Sequence, residues 1–147
     1  MSSYVFDTEP LVAYLYDEPG ASRVTERLRA VEQEAATGAI SHATATELVY
    51  KIARLETGDP NQTPPGDEEF ETARRDLRIV RGYGLTVETP GWDTVGEIKG
   101  AGGISLGDAY TAALAAEREA TLVVGADPEF GDLSVDVELS RIRDDPA

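Results

Sequence analysis

Apolar positions along this chain fall into two alternating kinds of run. Tyr4-Val5-Phe6, Ala39-Ile40, Leu85-Thr86-Val87 and Leu122-Val123-Val124 are short and unbroken, as buried strands are. A last short strand is expected near Val135 to Glu138. Between the strands, apolar residues recur at the three- and four-residue spacing of helices. Thr8 and Pro10 open a helix striped by Leu11, Val12 and Leu15, and Asp17-Glu18-Pro19-Gly20 breaks it. Val24, Leu28 and Val31 predict a second helix reaching about Ala36, with Gly38 as its stop. Ser41 caps a third, lined by Ala45, Leu48, Val49 and Ile52 and running to about Thr57, with Glu47 off its buried face.

The stretch from Gly58 to Gly66 is proline-rich and almost without apolar residues, which predicts a loop within a domain. A helix resumes at Asp67 with Phe70, Leu77 and Val80 inside and Arg74, Arg75, Arg78 and Arg81 toward its C-terminal end, where cations suit the helix dipole. Pro90 begins a helix with Trp92, Val95 and Ile98 inside, ended by Gly100. The next helix opens on Ile104-Ser105-Leu106-Gly107-Asp108-Ala109-Tyr110 and buries Leu106, Tyr110, Ala113 and Leu114, while Gly102 and Gly103 permit a sharp approach. Strands alternating with helices predict an α/β fold whose central sheet is mostly parallel and flanked by helices. At 147 residues and 41% hydrophobic content the chain is read as one domain, 1–147.

Charge and composition narrow the chemistry. No apolar run is long enough to cross a bilayer, and no signal-like N-terminus is visible, so a cytoplasmic protein is expected. Without cysteine and with a single histidine, His42, neither thiolate chemistry nor a histidine-rich zinc site is available, and His42 is expected at a helix start or on the surface. Net charge is -15, from 28 acids against 13 bases, and the acids are spread along the chain. A cell interior at molar salt, where the Debye length shrinks to about 3 Å, accounts for that excess as a halophilic adaptation.

Four acids stand at the junctions where an α/β sheet binds ligands: Asp7 and Asp127 directly after strands, Glu47 and Asp108 early in helices entered from that edge. Ser105 and Asp108 also fit a capping box, which by itself would account for both. Crowded carboxylates with no lysine or arginine beside them take up protons unless a hard divalent cation lies between them. Mg²⁺ or Mn²⁺ suits an oxygen-only set, and such an ion can activate water and neutralise a phosphate.

These residues also resemble a known family. Phe6-Asp7-Thr8-Glu9-Pro10-Leu11, Thr46-Glu47-Leu48, Gly103 through Tyr110 with Ala112-Ala113-Leu114-Ala115, and Gly125-Ala126-Asp127-Pro128-Glu129-Phe130 are similar, in order and spacing, to the PIN-domain ribonucleases. The size is similar to that of the VapC-like toxins of toxin-antitoxin pairs. The resemblance implies a metal-dependent endoribonuclease with an RNA substrate and a metal site of Asp7, Asp108, Asp127 and Glu47, supported through hydroxyls by Thr8 and Ser105. It also implies a homodimer and a small antitoxin partner. Two positions depart from the family. Gly125 replaces a common threonine or serine, removing a hydroxyl, and Glu9 replaces a small polar residue, adding a candidate outer carboxylate. Asp132 is a further acid nearby, read as a turn residue. Alternatives are a non-catalytic RNA-binding or assembly module on the same fold and a housekeeping RNA-processing nuclease. A haloacid-dehalogenase-like phosphatase would need an aspartate where Glu9 stands.

Overall fold

The computed structural model describes residues 1–59, 61 and 64–143. Among these residues five segments form strands: β1 (Ser2–Phe6), β2 (Ala36–Ser41), β3 (Thr86–Glu88), β4 (Thr121–Val124) and β5 (Leu139–Arg141). Six helices intervene, α1 (Thr8–Leu15), α2 (Ala21–Glu32), α3 (His42–Glu56), α4 (Asp67–Arg81), α5 (Trp92–Gly100) and α6 (Leu106–Arg118), with a short 3-10 helix at Pro128–Asp132. The sheet order is β3-β2-β1-β4-β5, and every pairing is parallel.

Both faces of the sheet are covered, which is why its central strands β1, β2 and β4 carry buried runs without alternation. Phe6, Ile40 and Val123 point into a core built with Leu11, Leu28, Leu48, Ile52 and Val80 of α1 to α4. Val5, Ala39, Leu122 and Val124 point the other way, into a core with Val95 and Ile98 of α5 and the alanines of α6. From β1 the chain progresses outward through β2 to β3, then returns to the opposite side of β1 as β4 and β5. The order therefore reverses between β1 and β4, and side chains just past the ends of those two strands open onto the crevice this creates.

The structure moves several expected boundaries and faces. Helix α2 ends at Glu32, because Ala36-Thr37-Gly38 is already strand β2, and Gly38 lies inside that strand. A Cβ at Gly38 would press on Leu85 and Val31, so the glycine answers to packing and does not stop a helix. The final strand follows the Val135 to Glu138 segment instead of occupying it, although Leu122 N–H bonds the Glu138 carbonyl. Strand β3 lies one residue later than its apolar run. Trp92, expected inside, is 83% exposed, and Leu106 is 57% exposed, because each occupies the first turn of its helix and overhangs the packed face. Gly102 and Gly103 do adopt positive φ, at 89° and 76°. In the expected Gly58–Gly66 loop, Pro64–Gly66 are neither helix nor strand, while 60, 62 and 63 lie outside the described residues.

Candidate metal centre

The end of β1 delivers Asp7 directly beside β4, to which it is tied by its own N–H on the Val123 carbonyl at 2.9 Å. Asp127 follows β4 through a two-residue turn and opens the 3-10 helix, accepting the Glu129 N–H at 2.9 Å. Asp108 comes from the first turn of α6, whose start is fixed by Ser105 Oγ accepting the Asp108 N–H at 3.2 Å. Glu47 reaches in from α3. It lies against Gly107, where a Cβ would push the Glu47 carboxylate from its place.

Together with Thr8, Glu9, Lys51, Ser105 and Glu129, these four acids line one cavity of about 360 Å³. All the site residues expected from sequence are thus brought together. Among the described residues, Asp108, Asp127 and Glu129 form the tightest group, able to present one carboxylate oxygen each within 4.8 Å of one another. Asp7 and Glu47 stand outside that group on the same wall. Thr8, which lines the cavity, has its Oγ1 buried with no hydrogen-bond partner in the protein. A larger hollow of about 720 Å³ lies by Met1, Gly38 and Tyr83, where no comparable acid cluster occurs among the described residues.

Burial and crowding act on the protons here. Asp7 is pushed up to about 7, chiefly by burial, with Glu47 and Asp127 adding repulsion and the Thr8 N–H and the Lys51 ammonium opposing it. Asp108 rises to about 9, again first by burial, then by its hydrogen bond to Glu129 and by the charges of Asp7 and Asp127. Glu129 moves the other way, held low by that same hydrogen bond and by the Ser105 N–H. The two carboxyls thus share a hydrogen bond that raises Asp108 and lowers Glu129.

The capping box expected at Ser105 and Asp108 is only half made. Ser105 makes its half of a capping box, but the Ser105 N–H is taken by Glu129 Oε2 at 3.2 Å, which frees the Asp108 carboxyl to face the cavity. His42 is the exposed first residue of α3, and Asp132 lines a neighbouring hollow, apart from the acid cavity.

Sequence reasoning missed the cations. The acids are not free of lysine and arginine: Lys51 Nζ is 3.2 Å from Glu47 Oε2, and Arg143 pairs with Glu9. Lys51 follows Glu47 by four residues on α3, a spacing visible in the sequence, whereas Arg143 meets Glu9 only through the sheet. Glu129 was passed over too, although its place two residues after Asp127, at the start of a turn led by Pro128, was a usable signal. The two family departures prove to be one feature. A Cβ at position 125 would stand 2.0 Å from Glu9 Cδ, so Glu9 occupies the space that Gly125 leaves open.

No protein among curated sequences matches this chain. In overall structure it is similar to a chain of VapBC2 from Rickettsia felis, solved bound to a DNA fragment from its promoter. The TM-score is 0.66 at 20% identity, covering 95% of this chain and 98% of that one. It is also similar to a chain of the DNA-bound VapBC of Salmonella typhimurium, with TM-score 0.62 at 17% identity, covering 97% and 100%. At those identities the likeness speaks for the fold. The family model for the PIN domain matches residues 4–135, a span that takes in Asp7, Glu47, Asp108, Asp127 and Glu129. On that match, with the parallel sheet and its acidic crevice, the chain belongs to the PIN-domain family.

Proposed function

We propose that this protein is a divalent-metal-dependent endoribonuclease, the toxin of a toxin-antitoxin pair, acting in the cytoplasm. The observation that carries the reading is the convergence of Asp7, Asp108, Asp127 and Glu129 on one cavity at the strand-order reversal, with an oxygen-only donor set and an orphaned Thr8 hydroxyl beside it. That set fits Mg²⁺ or Mn²⁺ and suits no softer ion. Asp7, Asp108 and Asp127 would hold the ion, with Glu47 as a ligand or a partner through water. When bound, the ion supplies positive charge to a phosphodiester and acidifies water for attack on phosphorus.

The remaining groups prepare these acids. Lys51 pairs with Glu47 and orients it, Ser105 fixes the first turn of α6 beneath Asp108, and Glu129 hydrogen-bonds the raised Asp108 carboxyl in the ion-free state. Binding of a cation displaces the proton of that carboxyl, so affinity should rise with pH. The structural neighbours, both VapBC complexes, support an antitoxin partner, and the family resemblance supports a homodimer. A non-catalytic module on the same fold draws support from one observation, that Lys51 and Arg143 neutralise two of the acids without any ion.

The test is cleavage of a labelled single-stranded RNA panel with Mg²⁺, with Mn²⁺ and with chelator, by wild type and Asp108→Asn. Asparagine keeps the size of the side chain but removes its charge, so cleavage should fall by orders of magnitude while the apo protein stays folded. Mutant activity within a few-fold of wild type would overturn the assignment of Asp108. Wild type that neither cuts nor binds either ion would favour the non-catalytic module.

A further inference from the structure

Strand β5 is a three-residue edge strand, yet it and the residue two beyond it supply arginines to the turn that carries Asp127 and to Glu9 at the start of α1. Arg141 Nη1 donates to the Gly125 carbonyl at 3.0 Å and to the Asp127 carbonyl at 3.1 Å. Those two carbonyls bracket the turn that presents Asp127, and Asp127 in turn accepts the Glu129 N–H. Arg143 pairs with Glu9 and donates to the Pro19 carbonyl at 2.9 Å, linking β5 to the first turn of α1 and to the loop that follows that helix.

The chemistry of these contacts argues for placement over stability. A mostly buried ion pair such as Arg143–Glu9 gives back in attraction about what it loses in hydration, so it contributes little net folding energy while fixing two side chains in place. Both bonds leave one nitrogen, Nη1, so a lysine ammonium, on a more flexible stem, would keep part of this bridge to the two carbonyls and alanine none of it. Metal sites depend on such outer partners to orient the ligands themselves.

We propose that Arg141 is a positioning residue of the acidic site. It holds the Gly125–Asp127 turn so that Asp127 and Glu129 face Asp108, and Arg143 keeps Glu9 as the wall of the cavity, not as another ligand. This inference rests on the metal-dependent reading above, and its test separates the two.

Mn²⁺ binding to the purified full chain is titrated by electron paramagnetic resonance for wild type, Arg141→Ala, Arg141→Lys and Arg118→Ala, with circular dichroism as the check on folding. Arg118 pairs with Glu88 away from the cavity, so its loss is a control for general destabilisation. The expected result is Mn²⁺ affinity at least tenfold weaker in Arg141→Ala and three- to fivefold weaker in Arg141→Lys, with Arg118→Ala unchanged. A folded Arg141→Ala within twofold of wild type overturns the proposal, as does an equal loss in Arg118→Ala. If Arg141→Ala does not fold, Arg141→Lys decides by the same twofold criterion. Amide hydrogen exchange gives a second readout that needs no ion. The Glu129 amide should lose protection in the Arg141 variants and keep it in Arg118→Ala, and unchanged protection counts against the brace. Wild type that takes up no Mn²⁺ would reject the metal reading and leave hydrogen exchange to judge Arg141.

Discussion

Asp7 and Asp108 show how a few residues tie the stability of the ion-free protein to pH. Both carboxyls hold their protons more tightly folded than unfolded, at about 7 and about 9 against the ordinary 3.8 of an aspartate. In that window the native state binds more protons, so stability is fully present at acid pH and declines as pH rises through the folded values. Melting of the chelated protein should therefore shift down between pH 5 and pH 9, and saturating Mn²⁺ should remove the decline by taking the protons' place. A flat melting temperature across that range would mean the two acids are not held as described. Gly125 and Glu9 make a second residue-scale prediction. Gly125→Ser restores the hydroxyl common in the family but drives Glu9 off Arg143, which is then left buried without its partner. The single change should cost about 1–3 kcal/mol in urea unfolding, and Glu9→Ala in the same chain should recover part of it. Additive effects of the two substitutions would show that the positions are not coupled.

Helix α6 connects the core to the site. Ala109, Ala112, Ala113 and Ala115 are fully buried, and small side chains let the helix sit close to β1, β2 and β4, carrying Asp108 at its first turn. Ala113→Leu should overpack this layer, lower stability by about 1–3 kcal/mol and weaken Mn²⁺ binding as α6 shifts outward. Unchanged Mn²⁺ affinity in the destabilised variant would show that the position of α6 does not set the site. At this scale much was legible in the sequence. The strands at Tyr4 to Phe6 and Leu122 to Val124, the Ser41 and Ser105 caps and the acids that follow them were written as contiguous apolar runs and cap residues. Trp92 and Leu106 were misassigned because periodicity gives a spacing and says nothing of whether a neighbour reaches the first turn. The start of β2 was read as helix because alanine and glycine lack any strand signature. Lys51, Arg141 and Arg143 escaped because a cation's meaning depends on which carboxylate or carbonyl the fold sets opposite it.

Across the whole molecule, charge is the dominant fact. A net charge of -15 on 147 residues repels an RNA backbone and strains a compact chain wherever screening is weak. If the halophilic reading holds, circular dichroism should show folding completed only as KCl rises toward molar concentration, where the Debye length is about 3 Å, and RNA cleavage should rise with it. A chain fully folded and equally active at low salt would remove that reading and leave the metal site untouched.

The all-parallel sheet sets an order of events during synthesis. Its central strand is made first, yet one flank of β1 stays open until the residues paired with it, Thr121 to Val123, leave the ribosome. At about 5–20 residues per second that wait is on the order of ten seconds, with the β1 edge exposed to other nascent chains. The same delay keeps Asp7 apart from Asp127, so the acidic crevice is assembled only once the fourth strand has been made.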